Sequence, residues 1–229
     1  MESQLPKKVV ISLGGSTIVP EEIDIDFLKG FRKLILKYVK KGMTFVLISG
    51  GGRPARHYQH AASKITKLNA EDLDWLGVHS TRLNAQLLRT IFREVAYQRV
   101  IKDPTEPIET KKKIIIAAGW KPGFSTDYDA VMLAKNLGVD TVVNMSNVSY
   151  VYDKNPKKFK NAKPLKELSW VDYIRMVGLE WRPGRNVPFD PIASTEAHKS
   201  EIKVIVMGND LNNFENFLLG REFKGTVIS

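Results

Sequence analysis

Cysteine is missing from all 229 positions, which excludes disulfides and every thiolate metal site. Histidine is scarce too. His57, His60, His79 and His198 are scattered, and the pair at 57 and 60 reads as two exposed residues on one helical face. No apolar run approaches the length of a bilayer span, and the opening Met1-Glu2-Ser3-Gln4-Leu5-Pro6 does not read as a signal peptide. A cytoplasmic protein with no membrane partner is therefore expected. The standard phosphate-binding strings are also lacking. No glycine loop closes on a Lys-Ser or Lys-Thr pair, and Gly14-Gly15-Ser16 lacks the third glycine of the dinucleotide fingerprint. No Ser/His/Asp triad suggests itself either.

What is present is an ordinary globular composition, 43% apolar and 26% charged, with a formal net charge of +10. The excess of cations suits an anionic ligand such as a nucleotide. The lysines are spread along the chain, and runs such as Lys111-Lys112-Lys113 and Lys157-Lys158 are short. No stretch has the mixed aromatic and basic pattern of a nucleic-acid surface, so no nucleic-acid partner is expected.

Apolar strand signals alternate with helical ones. Strands are predicted at Lys8 to Leu13, Thr44 to Ile48, Ile114 to Ala118, Thr141 to Met145, Ile202 to Met207 and Thr226 to Ile228. Phe27, Phe31, Leu34, Ile35 and Tyr38 share one face of a helix that stops at Lys40-Lys41-Gly42. A mostly helical region is predicted from Ala55 to Tyr97, broken near Lys67-Leu68-Asn69. Another helix is predicted from Thr126 to Gly138, and a last one over Asn212 to Leu219. Such alternation argues for an α/β fold with a largely parallel central sheet. One continuous fold over 1–229 is expected, with halves at about 1–140 and 141–229.

Ligands of open parallel sheets bind beyond the carboxyl ends of the strands. Those ends carry Gly14-Gly15-Ser16, Gly50-Gly51-Gly52, Gly119 to Gly123 and Ser146-Asn147. Glycines there let backbone N–H groups approach an anion, with helix N-termini behind them. Arg56 lies one helical turn beyond the triple glycine, placed for an anion at the helix start. Asp74 reads equally as an N-cap or as a partner for a sugar hydroxyl. Ser125-Thr126-Asp127-Tyr128-Asp129 opens a helix with one more carboxylate than capping requires, so one is a candidate to orient a lysine or a Mg²⁺-bound water. Tyr152 suits either a base contact or a turn. The segment Trp181 to Asp190 reads as a loop over the sheet, with Arg182 and Arg185 as exposed candidates for phosphate contact.

These segments, in this order, resemble the amino-acid kinase family over nearly the whole chain, and within it the archaeal-type uridylate (UMP) kinases. The resemblance rests on the first-strand Gly14-Gly15-Ser16, Gly50-Gly51-Gly52 with Arg56, Asp74-Trp75-Leu76-Gly77-Val78, and Thr81-Arg82-Leu83-Asn84-Ala85. It continues through Gly119 to Asp127, Ser146-Asn147 with Tyr152, Asp190-Pro191-Ile192-Ala193 and Gly225-Thr226. It implies a three-layer αβα sandwich, and transfer of the γ-phosphoryl of ATP to UMP by a Mg²⁺-dependent homohexamer, the metal arriving with ATP and having no protein ligands assigned. Carried over by position, Gly51, Asp74, Gly77, Gly119, Trp120, Lys121, Pro122, Gly123, Phe124 and Ser125 would hold UMP. Ser12, Leu13, Gly14, Gly15, Ser16, Gly52, Arg56, Ser146, Asn147, Tyr152 and Asn155 would hold ATP. Arg56, Thr126, Asp127 and Asp129 would serve the transfer itself.

Three positions depart from that pattern, all on the ATP side. Ser12 stands where many members carry a strand lysine, and Lys8 lies too far upstream to replace it. Ser149-Tyr150 replaces an Asp-Gly pair, and Asn155 replaces an acidic residue before Pro156, with Asp153 nearby. Two other readings stay open: a family enzyme acting on a carboxylate, carbamate or other phosphate acceptor, and a nucleotide-binding oligomer with little or no turnover.

Overall fold

A computed structural model describes residues 6–179 and 187–229. The chain begins with β1 (Lys8–Leu13), the short α1 (Gly15–Ile18), α2 (Ile25–Lys40) and β2 (Thr44–Ser49). Two helices, α3 (Gly52–Ile65) and α4 (Ala70–Ile91), then precede β3 (Ala96–Ile101) and β4 (Ile114–Ala117). After α5 (Thr126–Asn136) and β5 (Thr141–Ser146) come a two-strand ribbon, β6 (Val151–Tyr152) with β7 (Pro164–Leu165), and then β8 (Glu167–Leu168). The chain ends through α6 (Trp170–Val177), α7 (Pro191–Lys199), β9 (Lys203–Gly208), α8 (Leu211–Leu218) and β10 (Thr226–Ile228).

Eight strands form one sheet in the order β3-β4-β2-β1-β5-β9-β10-β8, and only the β9–β10 pairing is antiparallel. Apolar clusters cover both faces. Val9, Ile11 and Leu13 of β1 pack with Phe31, Ile35, Leu88 and Phe214 of α2, α4 and α8. Val10 points the other way, with Ala130, Leu133, Tyr173 and Ala197 of α5, α6 and α7. This alternation along a strand buried on both sides makes the predicted three-layer sandwich.

Helix boundaries follow local chemistry. Asp24, Asn69, Ser125, Ser169, Asp190 and Asp210 each accept a backbone N–H of the helix that they open. The predicted break near Lys67-Leu68-Asn69 is the gap between α3 and α4. Three expectations need correction. The helical region stops at Ile91, and Ala96–Ile101 is an edge strand whose middle residues are polar and exposed, so no apolar alternation advertised it. Asn69 caps α4, so Asp74 lies inside the helix and is no N-cap. The stretch between the fourth and fifth predicted strands also carries two helices, α6 and α7, where no helix was expected.

Candidate functional site

The carboxyl ends of β1, β2, β4 and β5 lie side by side in the sheet, which brings their glycine turns together. The first two turns touch backbone to backbone. A Cβ on Gly15 would stand 2.0 Å from the Gly52 nitrogen, and one on Gly52 would stand 2.5 Å from the Gly15 oxygen. Gly52 also takes a φ of +67°, in the left-handed region that favours glycine. Gly14 N–H donates to the Met145 carbonyl (2.8 Å), fixing the turn against β5. Gly14-Gly15-Ser16 is thus a turn into the first residues of α1, and packing alone demands its glycines. Ser16 sits at the edge, with its hydroxyl 3.5 Å from Arg56 Nη2 on the exposed first turn of α3. The neighbouring Arg53 is committed elsewhere, to Glu21 and His57.

A polar stripe on the buried side of α4 pins these loops. Asn84 Nδ2 donates to the carbonyls of Gly50 (2.8 Å) and Gly51 (3.2 Å). Thr81 Oγ1 accepts from Gly119 N–H (2.8 Å), and the Thr81 carbonyl accepts from Ser49 Oγ (2.9 Å). Gly77, one turn earlier, passes so close that its carbonyl would lie 3.3 Å from a Cβ on Gly51. Sequence reasoning quoted Thr81 and Asn84 but gave them no role. The signal was there: two polar residues on the buried face of an amphipathic helix.

The loop from Gly119 to Ser125 is pinned at Gly119, Trp120 and Gly123, and Ser125 caps α5. Trp120 N–H donates to Asp129 Oδ2 (3.1 Å), and Arg82 Nη2 donates to the Trp120 carbonyl (2.9 Å). Gly123 N–H donates to Asp74 Oδ2 (2.9 Å), with Gly123 at a φ of +86°. Asp74 therefore bridges α4 to the loop. Lys121 Nζ lies 3.8 Å from the centre of the Trp120 ring. Phe124 continues the aromatic row, with centroids 5.2 Å from Trp120 and 4.6 Å from Tyr128. The Thr105 hydroxyl, with help from the Trp120 indole, holds Asp103 below the ordinary carboxylate range. Pro122 lies within this loop beside Lys121.

Asp127 marks the junction of the two sides. Its Oδ1 accepts from Ser12 Oγ (2.9 Å) and from Asn144 Nδ2 (3.2 Å), and its Oδ2 accepts from Asp190 N–H (3.3 Å). Burial pushes its carboxyl up to about 7, and the Asp190 charge adds to the shift. Asp190 Oδ1 caps α7 through Ala193 N–H (2.7 Å), while its Oδ2 is buried with no hydrogen-bond partner among the described residues. Burial raises Asp190 as well. Asp129 is fully buried and raised to about 8 by that burial, and it supports the Trp120 backbone. Its carboxylate thus acts through the loop. Thr126 begins α5 beside Asp127. Asn144 and Asp190 were not predicted as site residues; Asn144 hides in an apolar strand where only its polarity is unusual.

On the far side, Leu13 and Ser146 end the paired strands β1 and β5, and Ser146 Oγ accepts from Val148 N–H (3.2 Å). Asn147 is exposed beyond it. Tyr152 packs edge-on against Tyr150, with centroids 6.2 Å apart. Tyr150 needs no glycine-like backbone, since Glu201 alone among described non-glycine residues has a positive φ. Asn155 Oδ1 accepts from Lys157 N–H (2.9 Å), closing its own exposed turn. Asp153 Oδ1 accepts from Lys163 N–H (2.8 Å), closing the ribbon. Lys8 donates to the Leu137 carbonyl (3.1 Å) at the opposite end of β1, away from the site. The candidates Arg182 and Arg185 lie outside the described residues.

A parallel αβα sandwich whose glycine turns and α3 N-terminus face a second anchored loop across a buried carboxylate is the frame of a phosphate-handling protein. The profile of the amino acid kinase family matches residues 7–208, and the chain belongs to that family. It is 36% identical over 225 residues to a uridylate kinase of Thermococcus sibiricus, covering 96% of this chain and 99% of that one. It is 33% identical to a uridylate kinase of Thermoplasma volcanium, covering 97% of each. Among solved structures, the uridylate kinase from Archaeoglobus fulgidus superimposes with a TM-score of 0.82 at 30% identity, covering 97% of this chain and all of that one. The UMP kinase from Bacillus anthracis, at 22% identity and a TM-score of 0.79, shares the fold.

Proposed function

We propose that this chain transfers the γ-phosphoryl of ATP to the phosphate of UMP, giving UDP and ADP. The observation that carries the reading is the meeting of two loops at one carboxylate. Asp127 opens α5 directly after the acceptor loop and bonds Ser12, two residues before the first donor-side glycine. The full-length likeness to proteins named uridylate kinase supports the same reading. Phosphoryl transfer requires two anionic oxygens aligned and their charge spread, so positioning and electrostatics supply most of the catalysis. The Gly15 and Ser16 backbone amides, the α3 N-terminus and Arg56 take the donor phosphates, while Gly14 N–H is spent on the Met145 carbonyl. The side chains of Asp74, Trp120 and Phe124 take UMP, on a loop whose Gly119, Trp120 and Gly123 amides are spent on holding its shape.

Magnesium enters with ATP in this reading. Among the described residues no group of three or more His, Asp or Glu side chains is arranged to hold a metal ion. Two carboxylates, Asp127 and Asp190, with the orphaned Asp190 Oδ2, suit a cation that brings phosphate ligands of its own. When bound, Mg²⁺ neutralises charge on the β- and γ-phosphates. Self-association to a homohexamer and a cytoplasmic location belong to the same proposal. Exposed Trp75 and Leu83 on α4, and Tyr58 and Ile65 on α3, support association. No helix among the described residues is long and apolar enough to cross a membrane.

The test is ADP release with ATP and Mg²⁺, offering UMP, CMP, dUMP, glutamate and carbamate separately. UMP-selective turnover is expected, collapsing in Arg56→Ala and Asp127→Asn. Turnover with a different acceptor alone, or none with any, rejects the reading.

A further inference from the structure

We infer that Ser12 and Asn144 form a neutral positioning clamp on Asp127, fixing its carboxylate by two hydrogen bonds to one oxygen. The inference rests on the phosphoryl-transfer reading and adds two positioning residues to it.

The two side chains are register partners: Ser12 of β1 lies directly opposite Asn144 of β5 in the parallel pairing. Both face the α5 side of the sheet, where their neighbours Val10 and Val142 are apolar and fully buried. Ser12 is 3% exposed and Asn144 is 5% exposed. Polar groups at such depth are costly unless bonded, and their donors are committed to specific partners. The Ser12 hydroxyl has one proton and gives it to Asp127 Oδ1 (2.9 Å). The Asn144 amide has two. One goes to that same Oδ1 (3.2 Å), the other to the Pro188 carbonyl (3.2 Å), two residues before Asp190.

This arrangement has three consequences. Two donors from the sheet on one oxygen fix the orientation of the carboxylate, leaving Oδ2, which among the described residues accepts only the long Asp190 N–H contact, with spare acceptor capacity. Through Pro188, Asn144 also ties the start of α7, and with it Asp190, to the same point. No lysine or arginine among the described residues pairs with Asp127, so its alignment depends on these neutral bonds.

The experiment compares wild type with Ser12→Ala, Asn144→Ala, the double variant and the conservative Ser12→Thr. Each alanine variant is expected to lower kcat for UMP phosphorylation by about 10- to 100-fold, as misplacement of a reacting constellation does. KM for UMP should stay within about two-fold, because the Asp74 and Trp120 contacts are untouched. Ser12→Thr restores most of kcat, and the double variant is much less impaired than the product of the single losses, because both bonds serve one oxygen. Unchanged kcat in both single variants, a loss confined to KM, or fully multiplicative losses would overturn the clamp while leaving the kinase reading intact. If wild type turns over no UMP, the kinase reading fails instead. The clamp is then judged by urea unfolding of the same four alanine-cycle proteins, where coupled losses support it and additive losses reject it.

Discussion

The Gly52 nitrogen lies 2.0 Å from where a Cβ on Gly15 would stand, so the turns after β1 and β2 fit against each other only as glycines. This contact fixes the distance between the donor-side turn and the N-terminus of α3. Ala at position 15 would meet backbone, which cannot rotate away as a side chain can. Gly15→Ala is expected to cost about 3 kcal/mol or more in chemical denaturation, at the top of the range for overpacking, and to abolish ATP protection in a thermal shift assay. A variant with wild-type stability and ATP binding would show that the turns separate readily.

Asp74 argues differently. Its Oδ2 already holds Gly123 N–H, so the carboxylate shapes the acceptor loop before any ligand arrives. Removing it loosens the loop and, in the proposed reading, deletes a group that meets UMP. Asp74→Ala should raise KM for UMP by about ten-fold or more, the worth of a charge-assisted hydrogen bond, with KM for ATP changed far less. Steady-state kinetics with each substrate varied in turn decides it, and equal rises in both constants would contradict the assignment.

On the ATP side, Tyr152 and Tyr150 offer aromatic surface, whereas Asn155 spends its side-chain oxygen on Lys157 N–H in an exposed turn. Stacking on a base is worth about 1–3 kcal/mol when an aromatic ring is truncated. Tyr152→Ala should therefore raise KM for ATP by about ten-fold. Asn155→Asp, restoring the family's acid, should change it by less than about three-fold, since an exposed hydrogen bond contributes little. A large gain from Asn155→Asp would mean that the turn opens to meet the nucleotide.

The sandwich was legible because its strands are near-continuous apolar runs ended by glycine, and that pattern survives without tertiary context. The edge strand Ala96–Ile101 was not, since half-exposed strands carry polar residues that match no period. Within the site, glycines and carboxylates at strand ends announce themselves. Asn144 does not, because its meaning comes from the register that places it opposite Ser12. The two readings of Asp74 stayed balanced for a related reason: Asn69 competes for the same capping role, and only the fold shows which residue caps α4. Asp129 reads in sequence as a second catalytic acid, yet its total burial turns it into a support for Trp120.

Far from the site, Glu215 on α8 accepts from Lys37 Nζ (2.5 Å) and from the buried Tyr38 hydroxyl (2.9 Å), joining α8 to α2. The Lys37 hydrogen bond is the main cause of its lowered pKa, with Tyr38 assisting, while partial burial opposes both. Because the folded value lies below the unfolded one, the unfolded chain binds the proton more tightly. The group's stabilisation is therefore present above the ordinary carboxylate pKa and is lost as pH falls through the lowered value. Lys37 is half exposed, so solvent screening limits the ion-pair part. Glu215→Gln is expected to cost about 1 kcal/mol at pH 7. The difference should shrink as pH falls below the ordinary carboxylate range and through the lowered value, where wild type carries the proton too. Urea unfolding of both proteins from pH 3 to pH 8 measures it, and a pH-independent difference would assign the effect of Glu215 to packing against Tyr38 instead.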